Sequence, residues 1–512
     1  MLNQTKFFTP AEFRFKRKII IAGLILLLML AEIGVGTEQL IKRPYLLALP
    51  FAPLFLMGLS VRREWGIVVL ILTMMVLRFG FSTGTASVIP LSLAFSALLV
   101  GLWLVKMLLN RDLHFLPSAL NLPAIVFLSI VILSMLWSRF FLDPQVIISD
   151  KFFNVQLGTI GVTAFSIALT IFCFNVVRDL SIVKFCYWLL VIGSFWYLFW
   201  YFIEVMQTQN KDLTGNVTEK LELNIAYLSR IINAGGLFPM WFCALTVALL
   251  LFQHDLSRWQ RFFMLLVLGA WLFRLFALTI ARISAWLPAV IAILVIVFIY
   301  SRKWFFLLAV VALGLIILNY QYIYDTIVVA KQLEGTLDST TSRDKLWSQA
   351  FKVAAINPIL GTGPAGYANY YMTYYRDLAL STHNNYLDML LQYGLLGLGA
   401  FIWLGLSIIK ELKNFIKLHP AGSFEKAFTI GAFAGAIGLF PAMWLGDWLI
   451  PFAYNQTISG FNYTSYSWLF IGLALALGYK AREKRLVDEK QARFIAAGNR
   501  AAGEEAGSVK VE

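Results

Sequence analysis

Residues Ser284–Lys303 read SAWLPAVIAILVIVFIYSRK, with no charge from Ser284 to Ser301 and a basic doublet, Arg302 and Lys303, directly after. A helix rises about 1.5 Å per residue, so a run of this length fits the roughly 30 Å hydrocarbon core of a bilayer. Helical backbone also satisfies its own N–H and C=O groups, which lipid cannot do. The stretch therefore predicts a transmembrane helix whose C-terminal end faces the cytoplasm, where Lys and Arg collect.

Similar runs recur near 19–36, 44–61, 65–82, 88–109, 119–138, 153–177, 185–206, 234–253, 262–280, 304–320, 385–409, 427–447 and 465–480. The predicted fold is an all-α polytopic membrane protein of about 14 spans (12–14), although Gly and Pro interrupt the run at 427–447. Composition excludes a single water-soluble globule. The 512 residues are 60% apolar and 14% charged, with a mean hydropathy of +0.75, against roughly half apolar and a quarter charged in soluble domains. Lys16-Arg17-Lys18 before the first run resembles the start of a signal peptide. Ile19–Gly36 is long enough to span and lacks a small-x-small cleavage site, so it reads as a retained first span.

Placing the N-terminus in the cytoplasm puts 27 basic residues on the inner side and 13 on the outer. Every short internal connection then holds at least two, whereas the outer connections near 82–87 and 448–464 hold none. Both termini are expected inside. The net charge of +14 thus marks topology and suits an anionic bilayer surface, with no nucleic-acid partner implied. Residues 1–480 form the membrane domain, with outer loops at about 207–233 and 321–384, and 481–512 a charged cytoplasmic tail. Arg78 and Arg274 fall inside predicted spans. Such residues snorkel, pair within the bundle (here with Glu32 or Glu204), or line a polar cavity. Cys173, Cys186 and Cys243 sit in apolar runs without Cys-x-x-Cys spacing and predict neither a disulfide nor a zinc site.

The larger outer loop carries most of the unusual chemistry. Thr341-Ser342 can cap a helix opening at Arg343, in which Leu346, Trp347, Ala350, Phe351, Ala354 and Ala355 recur at helical spacing until Asn357-Pro358. This is a short amphipathic helix suited to the membrane face. Gly361-Thr362-Gly363-Pro364-Ala365-Gly366 is a glycine-rich turn, but no Gly-Lys-Ser/Thr follows, so it is not a P-loop. Tyr367, Tyr370, Tyr371, Tyr374 and Tyr375 suit either interfacial anchoring or stacking on sugar rings.

Ser381 or Thr382 can cap the next span, which places His383 in its first turn at the outer surface. The positive end of the helix dipole favours a neutral, proton-accepting imidazole there, as a general base requires. A polar residue at a helix start with no chemistry fits the same position. Arg230, before the eighth span, and Arg282, in the short link between the ninth and tenth, stand on the same side. A guanidinium there either anchors at the interface or binds phosphate bidentately.

The segment from Arg343 through Trp347, Pro358, Gly361, Gly363 and Gly366 to His383-Asn384, ending in Tyr393-Gly394-Leu395-Leu396-Gly397-Leu398, resembles the signature region of the O-antigen ligase and polymerase superfamily. That superfamily includes lipopolysaccharide O-antigen ligases, Wzy-type polysaccharide polymerases and bacterial O-linked oligosaccharyltransferases. The resemblance is close over about 343–398, and Ala281-Arg282 is similar to the family's Ser-Arg segment before a span. Arg230 with Gly235-Gly236 matches more loosely, because Gly-Leu-Phe-Pro stands where a Pro-Asn pair is common.

The resemblance implies a glycosyltransferase that needs neither metal nor cofactor and works at the outer face of the cytoplasmic membrane. Its donor would be an undecaprenyl-diphosphate-linked glycan, and its acceptor a hydroxyl of another glycan or of a lipid A core. Carried over by residue, it implies His383 as the base, with Arg282 and Arg230 on the diphosphate. Arg343, Asn384, Tyr367 and Asp388 follow as second-rank substrate-binding candidates. Ligase and polymerase differ only in acceptor, and the choice stays open, as does the oligomeric state. A polysaccharide flippase or other polytopic transporter shares the span count. Transporters place polar sites at the midplane between internal repeats, whereas here no repeat is evident and the polar residues cluster in an outer loop.

Overall fold

The computed structural model describes residues 64–508 apart from 78, 83–87, 114, 149, 210–227, 229, 280–281, 319, 322–323, 326–342, 377–378, 380 and 453–457. The predicted spans at 19–36 and 44–61, Arg78, and much of both long outer loops lie outside the described residues. The chain runs through α1 (Trp65–Met75), a hairpin of β1 (Gly80–Ser82) and β2 (Val88–Pro90), α2 (Leu91–Leu109), α3 (Asn121–Phe140), α4 (Phe152–Val176) and α5 (Leu180–Gln209). It continues with α6 (Phe238–Phe252), α7 (Arg258–Phe273), a π-helical turn (Arg274–Leu278), α8 (Ile283–Tyr300) and α9 (Arg302–Leu318). The last elements are α10 (Arg343–Ile356), α11 (Gly366–Tyr375), α12 (Asn385–Ile416), α13 (Phe424–Leu445) and α14 (Phe461–Ser508).

Among the described residues eight helices are long and apolar enough to cross a membrane: α2 to α5, α7 with its π turn, α8, α12 and α13. Each coincides with a predicted run. α1 and α6 are apolar but shorter, and α9 and α14 cover the runs at 304–320 and 465–480. The run at 65–82 is not one helix. α1 stops at Met75, where Asn233 donates its backbone N–H to Met75 O (2.6 Å) and so satisfies a carbonyl freed by the helix end. The chain then enters the hairpin, with Gly80 opposite Pro90 and Ser82 opposite Val88, a small departure from the all-α expectation.

Burial separates a central layer from a lipid-facing one. The apolar window of α13 is 72% buried, against 28% in α7 and 22% in α8. The glycines that interrupt the α13 sequence explain its central place. A side chain at Gly431 or Gly435 would collide with Leu245 or Trp241 of α6, and one at Gly438 with the Pro288 carbonyl of α8. Small residues at these three positions let both neighbours approach closely, the usual device where lipid offers no hydrophobic drive for helix association. By contrast α9 leaves Val310, Ile317 and Leu318 largely exposed, which suits acyl chains.

Among the described residues, connections gather at two ends of the bundle. At one end, the tail end, Lys480 donates to Arg178 O (2.9 Å) and His254 N to Gly422 O (3.0 Å). At the other, the histidine end, Ile147 N donates to Thr373 Oγ1 (3.1 Å) and Ser459 Oγ to Val88 O (3.2 Å). There α10 and α11 build a second, smaller core from residues including Leu346, Ala350, Val353, Tyr367, Tyr371 and Phe452. α14 continues without a break through residues 481–508.

Candidate functional site

The glycine-rich turn holds the site's scaffold together. α12 breaks at Gly394, whose φ of 67° is left-handed, and a side chain there would sit 2.2 Å from Ile359 O. Gly361 (φ 72°) approaches the Gln392 backbone just as closely. The break frees two carbonyls, and the turn supplies their donors: Thr362 N to Leu391 O (2.9 Å) and Gly363 N to Gln392 O (3.0 Å). The Gln392 side-chain oxygen in turn accepts from Ala365 N (2.8 Å). The glycines of the quoted segment are therefore architectural.

At the start of α12 the cap differs from the one expected. Asn384 is the N-cap, its side chain accepting from Tyr386 N (3.0 Å) and Leu387 N (3.2 Å). His383 stands before the helix with a left-handed φ of 50°. The neighbouring hydroxyls are engaged elsewhere: Thr382 Oγ1 donates to Asp388 Oδ1 (2.6 Å), and Ser381 Oγ accepts from His383 N (3.1 Å). Non-glycine residues adopt this conformation at a cost, and it persists here because hydrogen bonds on both sides dictate it.

Ser381, Thr382, Asn384, Asn385 and Asp388 are all buried, whereas the His383 side chain is 44% exposed. The imidazole is thus the part of this segment presented outward. Its Nδ1 lies 3.7 Å from Oδ1 of Asp447, a carboxylate only 1% exposed. Phe452 N donates to the other carboxylate oxygen of Asp447 (3.3 Å). Asn385 fixes this second segment to the helix start, since Nδ2 donates to Ile450 O (2.7 Å) while Oδ1 accepts from Leu449 N (2.9 Å). Sequence reasoning missed both Asp447 and Asn385. A signal existed for the first, because Asp447 is the only charged residue between Lys426 and Lys480.

Arg282 occupies the N-cap position of α8 and is exposed. α8 packs against α13 with Pro288 beside Gly438, so its start lies at the same end as Asp447, which follows α13. Arg230 is also exposed. The turn after it reaches the same corner, with Gly235 against Tyr463 and Gly236 near Trp448, next to Asp447. Among the described residues neither guanidinium has an ion-pair or hydrogen-bond partner, and neither contacts His383 directly. Arg343 opens α10.

The tyrosines are neither anchors nor an open sugar platform as a group. Tyr367, Tyr370 and Tyr371 are buried in the small core. Tyr367, expected to touch substrate, is fully enclosed, and burial pushes its hydroxyl far above the usual range. Tyr374 is partly exposed and hydrogen-bonded to Asp143, which raises the Tyr374 hydroxyl to about 12 and lowers the Asp143 carboxyl. The amphipathic helix behaves similarly: Leu346, Ala350 and Ala354 face the small core, but Phe351 is exposed. Asp388 is buried, with Oδ2 unpartnered among the described residues.

Fold and site together define a multi-pass α-helical membrane protein with, at one end, a histidine–carboxylate pair and two arginines whose side chains have no partner among the described residues. Residues 268–402, about a quarter of the chain, match the family model described as O-antigen ligase, so this segment is similar to that family. The matched stretch contains Arg282, the glycine-rich turn, His383, Asn384 and Asp388, while Arg230 and Asp447 lie outside it. No curated protein matches the chain. The family indicates glycosyl transfer of the ligase or polymerase type, with a glycan-lipid donor and an acceptor.

Proposed function

We propose that the protein transfers a glycan from undecaprenyl diphosphate to an acceptor hydroxyl, on a lipid A core or on another lipid-linked glycan, at the outer face of the cytoplasmic membrane. The observation that carries this proposal is the outward-facing His383 imidazole, held beside buried Asp447 at the end where Arg230 and Arg282 have no side-chain partner among the described residues. With Nδ1 turned to the carboxylate, Nε2 takes the acceptor proton. The acceptor oxygen attacks the anomeric carbon while the bond from that carbon to the diphosphate oxygen breaks, and the electron pair leaves with the diphosphate. Arg282 and Arg230 neutralise the departing charge, and Asp447 stabilises the imidazolium. Attack opposite the leaving group inverts the anomeric configuration. General-base assistance contributes roughly 10²- to 10⁴-fold, and electrostatic stabilisation a comparable factor.

Reconstitution with an undecaprenyl-diphosphate-linked glycan and candidate acceptors tests the scheme. His383→Ala should lose roughly 10²- to 10⁴-fold in transfer rate while the protein stays folded, and full activity in that variant would sink the proposal. The scheme also requires both termini inside, within a bundle of about fourteen spans. A cysteine at Arg376, an exposed position beyond α11, should react with an impermeant thiol reagent in intact cells, since the native cysteines are buried. Protection of that thiol would reverse the orientation.

A further inference from the structure

Arg274 opens the π-helical turn that ends the span begun by α7. Its guanidinium lies among aromatic rings. The guanidinium carbon lies 4.6 Å from the centre of the Tyr201 ring and 5.2 Å from those of Tyr197 and Trp271. Tyr197 and Trp271 stack on each other at 5.5 Å, within 14° of parallel. Nε is buried and donates to no acceptor among the described residues.

Ring faces offset part of the cost of holding a cation away from water. They engage the planar fork less fully than a carboxylate does: the Tyr197 hydroxyl accepts a hydrogen bond from the guanidinium, while Nε has no acceptor among the described residues. An ionisable side chain within a span is a functional candidate by default, and single π turns concentrate at functional sites. Here the two observations coincide on one residue.

The cage lies beside the proposed donor site. Phe276 of the π turn meets Trp286 (5.9 Å), in the first turn of α8 just past Arg282. Trp271 meets Phe238 (6.2 Å), at the start of α6 after the turn that follows Arg230. Leu278 ends the span one helical turn, about 6 Å, beyond Arg274. Arg274 is therefore deeper than Arg230 and Arg282, at the boundary between headgroups and acyl chains. An anion that reaches this depth along a ring-lined wall is one carried by a lipid tail.

We propose that Arg274 is a positioning residue that binds a lipid-borne phosphate at this boundary, either the tail-proximal phosphate of an isoprenoid diphosphate or the phosphate of a bilayer phospholipid. The first source rests on the glycosyl-transfer proposal above; the phosphate chemistry does not. The test uses the full chain in nanodiscs, with Arg274→Gln and Arg274→Lys beside the native protein. It measures binding of undecaprenyl diphosphate and of phosphatidylglycerol together with donor KM and kcat.

Arg274→Gln should weaken undecaprenyl-diphosphate binding and raise donor KM roughly ten-fold, the effect of one lost charge-assisted hydrogen bond. The kcat should stay within about two-fold and the acceptor KM should not move, a split that loosened packing would not produce. Arg274→Lys, which keeps the charge but not the fork, should fall between, and it serves as the probe if the neutral variant fails to fold. Loss of phosphatidylglycerol binding alone supports the phosphate site and assigns it to a bilayer lipid. Unchanged binding of both lipids in a folded variant overturns the inference. If native protein transfers no glycan but its lipid binding still depends on Arg274, the glycosyl-transfer proposal falls and this one stands.

Discussion

The two ends of the bundle both carry clustered charge, and they treat it in opposite ways. At the tail end Arg178 pairs with Glu483 (3.5 Å), and buried Glu411 accepts from Tyr479 (2.8 Å) and faces Arg482 (3.9 Å). At the histidine end Arg230 and Arg282 are exposed with no partner among the described residues, and the carboxylate of Asp447 faces a histidine instead of a fixed cation. Charges that satisfy one another hold helices in place. Those left over, beside a buried acid, are available to a ligand, which is why such groups cluster at functional sites.

The contrast breaks most visibly at Asp447. Replacing it by Asn keeps the size and an acceptor for Phe452 N but removes the charge beside the imidazole. We expect kcat to fall by roughly 10²- to 10³-fold with donor KM little changed, because the loss concerns the proton-transfer step and not donor binding. Initial rates at varied donor concentration decide it. A kcat near the native value would reduce the His383–Asp447 contact to packing.

His383 and Arg282 were proposed from the sequence because each lies in a stretch that resembles the family, whereas Asp447 comes 64 positions after His383. The role proposed for it exists only once Asn385 ties the two segments together. The helix cap was misplaced by two or three residues for a related reason. Ser381, Thr382 and Asn384 are all good caps, and the choice was made by distant partners, Asp447 and Asp388, that claim the two hydroxyls. The spans were readable wherever an apolar run is long and faces lipid. They were least readable where a helix is short and wholly enclosed, as in α1, or built of small residues to let neighbours close in, as in α13. Burial also decided the tyrosines, since spacing alone does not distinguish a packed ring from an exposed one.

His419, in the link between α12 and α13, sharpens the comparison from the tail end, where an ionisable group is buried without an ion pair among the described residues. It is 6% exposed, and burial pushes its imidazole from 6.5 down to about 4. Between those values the unfolded chain binds the proton and the folded chain does not, so stability rises with pH across the window. The protein should be at full stability above about pH 6.5 and lose about 3 kcal/mol as pH falls towards 4. Thermal midpoints of the purified protein at several pH values measure this, with His419→Asn as control. The variant should show a flatter profile, and an equally steep one would assign the acid sensitivity to other groups.

The smallest effect is expected at Arg178, and its smallness is what the contrast requires. The Arg178–Glu483 pair is 39% and 49% exposed, so water and salt screen it and its two side chains lose rotamer freedom in meeting. Pairs of this kind contribute under about 1 kcal/mol. Arg178→Gln should shift the thermal midpoint slightly, less so at high salt, and leave kcat and both KM values unchanged. A loss of transfer comparable to that in Asp447→Asn would mean that the tail end takes part in the reaction, through a rearrangement that couples the two ends. Charge pairing would then no longer distinguish structure from function in this molecule.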